Sequence, residues 1–187
     1  QFVEDGWSLL EPITKSFADG DQKDVPYMIG MVATEDAGHF NMPVKLVPTI
    51  KQKSSPVFAY TFTAVPAGWR KDGVTGWHAI DIGYVFASLD DAFVNAKPEY
   101  FRAYAQAQSA KNKDPGVTAA DRQLAANIKK MWAQFAATGN PNIKGVVDWP
   151  AYKVSTDRYL EIDLPLTAKS GYSRLEHKPA PSIRGGE

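Results

Sequence analysis

Two short runs of consecutive apolar residues limit the folds that are open to this chain. The first covers residues 25–33, with Pro26 at its entry, and the second is Val57–Phe62, which is rich in aromatic and β-branched side chains. Neither run alternates apolar with polar residues, as a strand with one solvated face would. Continuous apolar runs are typical of strands buried on both faces, and helical patterns separate these from later segments. The sequence therefore predicts an α/β sheet covered on both sides.

The clearest helix is predicted over residues 119–138. Thr118 and Asp121 have the spacing of an N-terminal cap, and Gly139 stands where a helix end favours a residue with positive φ. Apolar residues form one stripe with helical spacing, at Leu124, Ile128, Met131, Trp132 and Phe135. This stripe predicts that the helix packs along a core.

Other segments carry weaker signals. Residues 34–39 form a polar turn after the first strand, and residues 66–76 contain the glycines and proline of a loop. A shorter helix is predicted over residues 98–111, and residues 159–162 alternate like an edge strand. The last ten residues, 178–187, are rich in proline and glycine and predict a flexible tail.

Composition excludes several classes of function. The 187 residues carry 21 Lys+Arg and 21 Asp+Glu, so the zero net charge argues against nucleic acid or an anionic membrane surface as a partner. Without cysteine the chain has no disulfide, no Cys-ligated zinc and no thiol nucleophile. No apolar stretch reaches the roughly 20 residues of a membrane span. The first residues do not resemble a signal peptide and indicate a mature end or a start inside a longer protein.

The chain has few residues with obvious catalytic chemistry. It lacks a Gly-x-Ser-x-Gly elbow, a phosphate-binding glycine loop, a dinucleotide fingerprint and a His-Glu-x-x-His motif. Glu35 and His39 are four residues apart but have no third ligand nearby, so no metal site is predicted. His177 lies in a polar tail. His78 follows a glycine-rich loop and can face a cleft, although position alone favours a capping or core histidine.

A set of motifs occurs in one order along most of residues 2–165. They are the strand and acidic turn at 24–35, the aromatic strand at 56–62, the histidine block at 77–86, and the motifs at 132–136, 139–142 and 149–152. Each motif is weak by itself. In this order they resemble the type-B carboxylesterases, which are cholinesterase-like α/β-hydrolases.

The resemblance implies both a fold and a set of roles. Residues 1–177 would form the C-terminal portion of an α/β-hydrolase domain, consisting of late sheet strands with covering helices, followed by the tail at 178–187. His78 would be the general base and acid of a Ser-Glu-His triad, and Glu35 the carboxylate that orients its imidazole. Asp81 would be a further group near the histidine loop, or alternatively the cap of a short helix. No cofactor would be required.

Two departures from the family pattern qualify this inference. The serine elbow and oxyanion loop are missing, so we expect the partner of this chain to be an N-terminal segment of the same esterase, and the chain alone to be inactive. Glu35 and His78 are also only 43 positions apart, where the family has a longer helical segment. Either helices are deleted here, or residues near 40–44 are absent from the sequence.

Alternative functions remain open from the sequence. The first interpretation is a serine hydrolase of small carboxylic esters, cytoplasmic or exported. The second is a non-catalytic, adhesion-type relative that keeps the fold for binding. A third is an aromatic binding surface built from Trp7, Trp69, Trp77, Trp132 and Trp149. Of these, Trp132 and Trp149 are expected to be structural, whereas Trp69 and Trp77 flank the loop before the histidine and could line a substrate pocket or simply pack.

Overall fold

The structure, a computed structural model, describes residues 4–35, 37–51, 54–90 and 114–176. The helix predicted over residues 98–111 and the tail predicted at 178–187 lie outside this range. In chain order the helices and strands are α1 Ile13–Asp19, β1 Tyr27–Val32, α2 Ala37–Leu46, β2 Val57–Phe62, α3 Ala67–Lys71, α4 Asp81–Val85, α5 Ala119–Thr138, β3 Arg158–Ile162 and β4 Thr167–Ser170.

The four described strands form one mixed sheet in the order β1-β2-β3-β4. β1 and β2 are parallel, with Tyr27 opposite Val57, and β3 continues the parallel pairing on the far side of β2. β4 then pairs with β3 in the antiparallel direction. The prediction of an edge strand at residues 159–162 is wrong, because β3 lies between two strands. Its polar Glu161 forms an ion pair with Lys169 on β4. The alternation of apolar and polar residues in this segment therefore reflects a cross-strand ion pair and not a solvated edge.

Both faces of the sheet are covered, as the continuous apolar runs predicted. On one face, Phe58 and Phe62 of β2 pack in a buried core that includes the inward side of α5; the α5 residues are Leu124, Ile128 and Met131. On the other face, Val57 and Ala59 pack in a second core with Val44 of α2 and with tyrosines that include Tyr172. The α/β class is therefore confirmed.

Helix α5 begins and ends where the sequence predicted. Thr118 and Asp121 form a capping box, in which the Thr118 amide donates to Oδ2 of Asp121 at 2.8 Å. Gly139 closes the helix with φ of 73°. Asp121 is fully buried, and its Oδ2 also accepts the amide of Ala67, the first residue of α3, at 3.4 Å. One carboxylate thus ties together the N-termini of two helices.

Two local features differ from the sequence prediction. The loop predicted at residues 66–76 contains the short helix α3, whose Trp69 is fully buried and holds the segment against the core. The polar turn after β1 passes at once into α2, which begins at Ala37. α2 runs unbroken across residues 40–44 with Pro43 inside it. The α-helices and strand described between Glu35 and His78 are therefore α2, β2 and the short α3.

No described helix combines the length and the apolar composition that crossing a membrane requires.

Substituting Asp121 with alanine should lower the free energy of unfolding by about 2–3 kcal/mol, because both a helix cap and the acceptor for Ala67 are lost. Chemical denaturation of the folded protein measures this change. Lys129→Ala, at an exposed position of the same helix, is the matched control and should change stability by less than about 0.5 kcal/mol. Equal effects of the two substitutions would contradict the linking role of Asp121.

Candidate active site

Glu35 stands at the carboxyl end of the parallel strands. It is the third residue after β1, and the Ala33 amide donates to the carbonyl of Phe62 at 2.9 Å, which extends the pairing of β1 with β2. In open α/β sheets this edge is where ligands bind. Glu35 is only 7% exposed, so the fold places a carboxylate under a surface with little water around it.

His78 reaches the same edge by a different segment. Trp77 is fully buried and its ring lies 5.4 Å from that of Trp69, which fixes the backbone just before the histidine. Trp77 also forms an isolated parallel bridge with Thr34. Because the two segments run in the same direction through this bridge, the residues that follow Thr34 and Trp77 are neighbours. These residues are Glu35 and His78.

The two side chains are in direct contact. Nδ1 of His78 lies 3.0 Å from Oε1 and 3.0 Å from Oε2 of Glu35. A carboxylate can only accept, so the facing nitrogen is the one that carries the proton, and Nε2 on the opposite side of the neutral ring is left as the acceptor. The His78 side chain is 55% exposed and that of Glu35 only 9%. The pair therefore consists of a buried orienting acid and an accessible imidazole.

The backbone after His78 adopts an uncommon conformation. Ala79 has φ of 69°, in the left-handed region that non-glycine residues rarely enter. This turn sends the chain directly into α4, which starts at Asp81. Such positions persist where the surrounding structure holds them, and they cluster at functional sites.

Asp81 faces the same cleft as the pair. Burial raises the pKa of this carboxyl, and the nearby Glu35 charge adds to the effect, while backbone amides of α4 and the His78 ring oppose it. Tyr60 lies close by, and burial followed by the Asp81 charge raises its pKa to about 12. Asp81 is thus near the histidine and also in the first turn of a short helix, so both sequence interpretations describe its position.

The cleft beside the pair has a volume of about 390 Å³. Most of its wall is apolar, and its polar side chains are those of Glu35, Tyr60, His78 and Asp81. The lining residues are Gly30, Met31, Val32, Glu35, Met42, Pro43, Tyr60, His78, Ala79, Asp81 and Ile82. A concave, largely apolar site with a few convergent polar groups is typical of small-molecule binding.

The suggestion that Trp69 and Trp77 line a substrate pocket is not what the structure shows. Both indoles are fully buried in the core between the sheet and α5, and neither borders the cleft. The large rings fill space under the loop that precedes His78, so their contribution is packing. Trp149 is likewise buried, as the sequence suggested, and its Nε1 donates to the carbonyl of Ala59 at 3.0 Å.

Residues that could bind a metal lie elsewhere. Among the described residues, Glu11, Asp19 and Asp21 form a group whose ligand oxygens lie within 4.8 Å of one another. The ammonium of Lys15 forms ion pairs with Glu11 and with Asp19, so this surface cluster already has a cation among its carboxylates. The side chain of His39, considered with Glu35 in the sequence, lies outside the described part.

Comparison with known proteins identifies the family. Residues 9–178 match the model of the carboxylesterase family. The chain belongs to that family. The order of motifs around the Glu35–His78 pair is thus explained by common descent with the carboxylesterases, and the resemblance stated from the sequence is confirmed.

Individual relatives agree with this assignment. Carboxylesterase 3B of Mus musculus is 30% identical over 131 residues, which are 64% of this chain and 20% of that protein. The medium-chain fatty acyl-CoA hydrolase precursor of Anas platyrhynchos is 33% identical, over 68% of this chain and 19% of that protein. Para-nitrobenzyl esterase of Bacillus subtilis (strain 168) is 28% identical, over 70% and 23%. The matched region spans about a fifth of the length of these relatives.

A solved structure of PNB esterase has the same fold. It superimposes with a TM-score of 0.66 over 90% of this chain and 41% of that chain, at 21% sequence identity. At this identity the likeness establishes the fold. The expectation that this carboxylesterase-family chain forms a portion of an α/β-hydrolase fold is confirmed.

Two features of the site had no motif to reveal them. The hydroxyl of Thr34, the residue before Glu35, donates to Thr75 Oγ1 at 3.0 Å, and threonines in polar turns are common. Gly30 lies under the ring of Tyr60, where a Cβ would stand 2.5 Å from that side chain. A glycine inside an apolar strand is the signal that could have indicated this close approach.

Asp81→Asn should raise the midpoint of thermal unfolding at neutral pH. Because the pKa of this carboxyl is raised above its ordinary value of 3.8, the folded protein binds the Asp81 proton more tightly than the unfolded chain does. The stabilisation from this proton is complete at pH values below the ordinary pKa, and it is lost as the pH rises through the raised pKa of the folded protein. Asparagine at position 81 carries no charge, so the variant does not lose this stabilisation at pH 7.

The gain should therefore shrink towards zero as the pH falls below 3.8. Thermal melts of the variant and the parent protein across this range test the prediction. Asp148→Asn makes the same charge change at an exposed position and serves as the control. A gain from Asp81→Asn that has the same size at every pH would contradict the burial argument.

Proposed function

We propose that this chain is the C-terminal part of a serine carboxylic ester hydrolase, and that it supplies the acid and the histidine of the catalytic triad. The observation that carries the proposal is the contact of His78 Nδ1 with both oxygens of Glu35 at 3.0 Å, at the carboxyl edge of the sheet. Membership of the carboxylesterase family supports it. In this contact the carboxylate holds the ring with Nε2 as the proton acceptor, which is the state that a general base requires.

In the proposed mechanism, His78 is the group that moves the proton. Its Nε2 accepts the proton of a serine hydroxyl as the oxygen attacks the ester carbonyl, since a hydroxyl is a poor nucleophile without a base. The same nitrogen then returns the proton to the leaving alkoxide. Glu35 accepts the hydrogen bond from Nδ1 throughout, which keeps Nε2 unprotonated in the resting ring and stabilises the imidazolium when it forms.

The serine and the oxyanion hole belong, in this proposal, to an N-terminal segment of the same esterase. Residues 1–187 contain no Gly-x-Ser-x-Gly elbow. Within the described sheet, apolar β1 lies at an edge, next to the residues that lead to Glu35. An apolar strand such as β1, when it lies at the edge of the described sheet, supports pairing with a further strand. The chain alone is therefore proposed to be inactive.

The proposed substrate is a small carboxylic ester. The cleft of about 390 Å³ next to His78 is largely apolar, which suits an uncharged acyl or alcohol group better than a phosphate or a sugar. The chemistry needs only side chains and backbone N–H donors, so no cofactor enters the proposal.

Replacing His78 with alanine in the complete enzyme should lower kcat by about a thousandfold or more, because no other group can take the serine proton. Glu35→Gln should also cause a large loss, because an amide facing Nδ1 no longer stabilises the imidazolium. Hydrolysis of a chromogenic ester measures both effects. Glu176→Gln makes the same chemical change at an exposed position and should leave kcat unchanged.

A covalent serine probe separates the enzyme from the adhesion-type alternative. A fluorophosphonate should label the complete protein at one serine, and His78→Ala should slow that labelling in parallel with kcat. Esterase activity that persists in His78→Ala would overturn the proposed mechanism. A complete protein that neither hydrolyses esters nor accepts the probe would instead favour the non-catalytic binding function.

A further inference from the structure

A pair of hydrogen-bonded threonines lies on the two segments that carry Glu35 and His78. Thr34 precedes Glu35, and Thr75 lies three residues before His78. The hydroxyl of Thr34 is 3.0 Å from that of Thr75. Thr34 is 4% exposed whereas Thr75 is exposed. Replacing Thr75 would thus remove this hydrogen-bond partner from the buried Thr34 hydroxyl. Thr75 itself is exposed and can also bond to water.

The backbone around these hydroxyls is already close-fitting. Thr34 and Trp77 form the parallel bridge, and Gly76 lets the segment approach the end of β1, since a Cβ there would lie 3.3 Å from Cγ1 of Val32. Two connections, one of backbone and one of side chain, therefore join the acid's segment to the histidine's segment within three residues of each catalytic candidate.

The threonines also border a second cleft, whose lining does not include His78. It has a volume of about 200 Å³, and its wall includes Thr34, Thr75, Arg70 and Asp163. Arg70 and Asp163 form an ion pair at 3.0 Å. The buried hydroxyl of Thr34 thus lies at the wall of a cleft that also carries an ion pair, and its hydrogen bond to Thr75 is directional where apolar packing is not.

We propose that Thr34 and Thr75 are positioning residues, whose mutual hydrogen bond sets the register of His78 against Glu35. This inference rests on the proposed function. The contact between Nδ1 and the carboxylate is lost if the two segments slide by about 1 Å, because hydrogen bonds weaken steeply with distance and angle. Small displacements of a catalytic group are also costly for rate. The hydroxyl bond is the directional restraint against such a slide.

The test compares two changes at one position in the complete enzyme. Thr75→Val keeps the shape and removes the hydroxyl, and it should lower kcat by about tenfold while KM changes by less than about twofold. Thr75→Ser keeps the hydroxyl and should restore kcat to within about twofold of the parent enzyme. The rate of fluorophosphonate labelling should follow kcat in both variants, since it depends on the same base.

A double-mutant cycle identifies the bond itself. Thr34→Val and Thr34→Val/Thr75→Val should each lose about as much kcat as Thr75→Val, because all three lack one shared interaction. Thr167→Val is the control: its hydroxyl bonds the Pro165 carbonyl at 3.1 Å on β4, at the far edge of the described sheet. This variant should keep the parent kcat. Thermal melts confirm that every variant is folded.

Three results would overturn the inference. They are an unchanged kcat in Thr75→Val, a serine variant as impaired as the valine variant, and additive losses in the double variant. The proposed function would survive each of them, provided that His78→Ala still abolishes activity. If His78→Ala is active, the proposed function itself fails, so the two failures are distinguishable.

Discussion

The parallel contact between the end of β1 and the segment that carries His78 is the constraint on which the site depends. β1 and β2 pair in register from Tyr27–Val57 to Val32–Phe62, and beyond β1 Thr34 forms a parallel bridge with Trp77, which lies on a different segment from β2. A parallel ladder brings residues with the same offset side by side. The bridge thus aligns the backbone of Glu35 with that of His78, and in our proposal the threonine hydrogen bond adds a side-chain restraint on their 3.0 Å contact.

The sequence predicted the parts of this arrangement that local pattern encodes. β2 and α5 have the predicted bounds, because their aromatic content, capping box and terminal glycine are local signals. The approach of Glu35 to His78 came from the order of family motifs, and no spacing rule would have supplied it. The positions of Trp69 and Trp77 were not predictable in this way, since a tryptophan beside a loop looks the same in sequence whether it packs or binds. Burial is decided by the sheet and α5, which lie far away in the chain.

The two carboxyl groups that line the cleft with His78 have different surroundings. Glu35 is buried but faces the imidazole, whereas Asp81 is desolvated next to another carboxylate, so its pKa is raised. In the proposed mechanism Glu35 is the carboxylate that orients the ring, because it is the one whose oxygens lie 3.0 Å from Nδ1 of His78.

The surface around His78 also explains why the imidazole is the exposed member of the pair. Met42 and Ile82 line the cleft with 40% and 50% of their surface exposed, and Phe86, one helical turn beyond Ile82, is 68% exposed. Large apolar side chains grouped beside a polar reactive group are characteristic of a surface that another segment or a ligand covers. β1 also lies at an edge of the described sheet, next to the residues that lead to Glu35. In the proposed complete enzyme, an N-terminal segment that covered these side chains would bring its own groups to Nε2 of His78, the ring nitrogen that does not face Glu35.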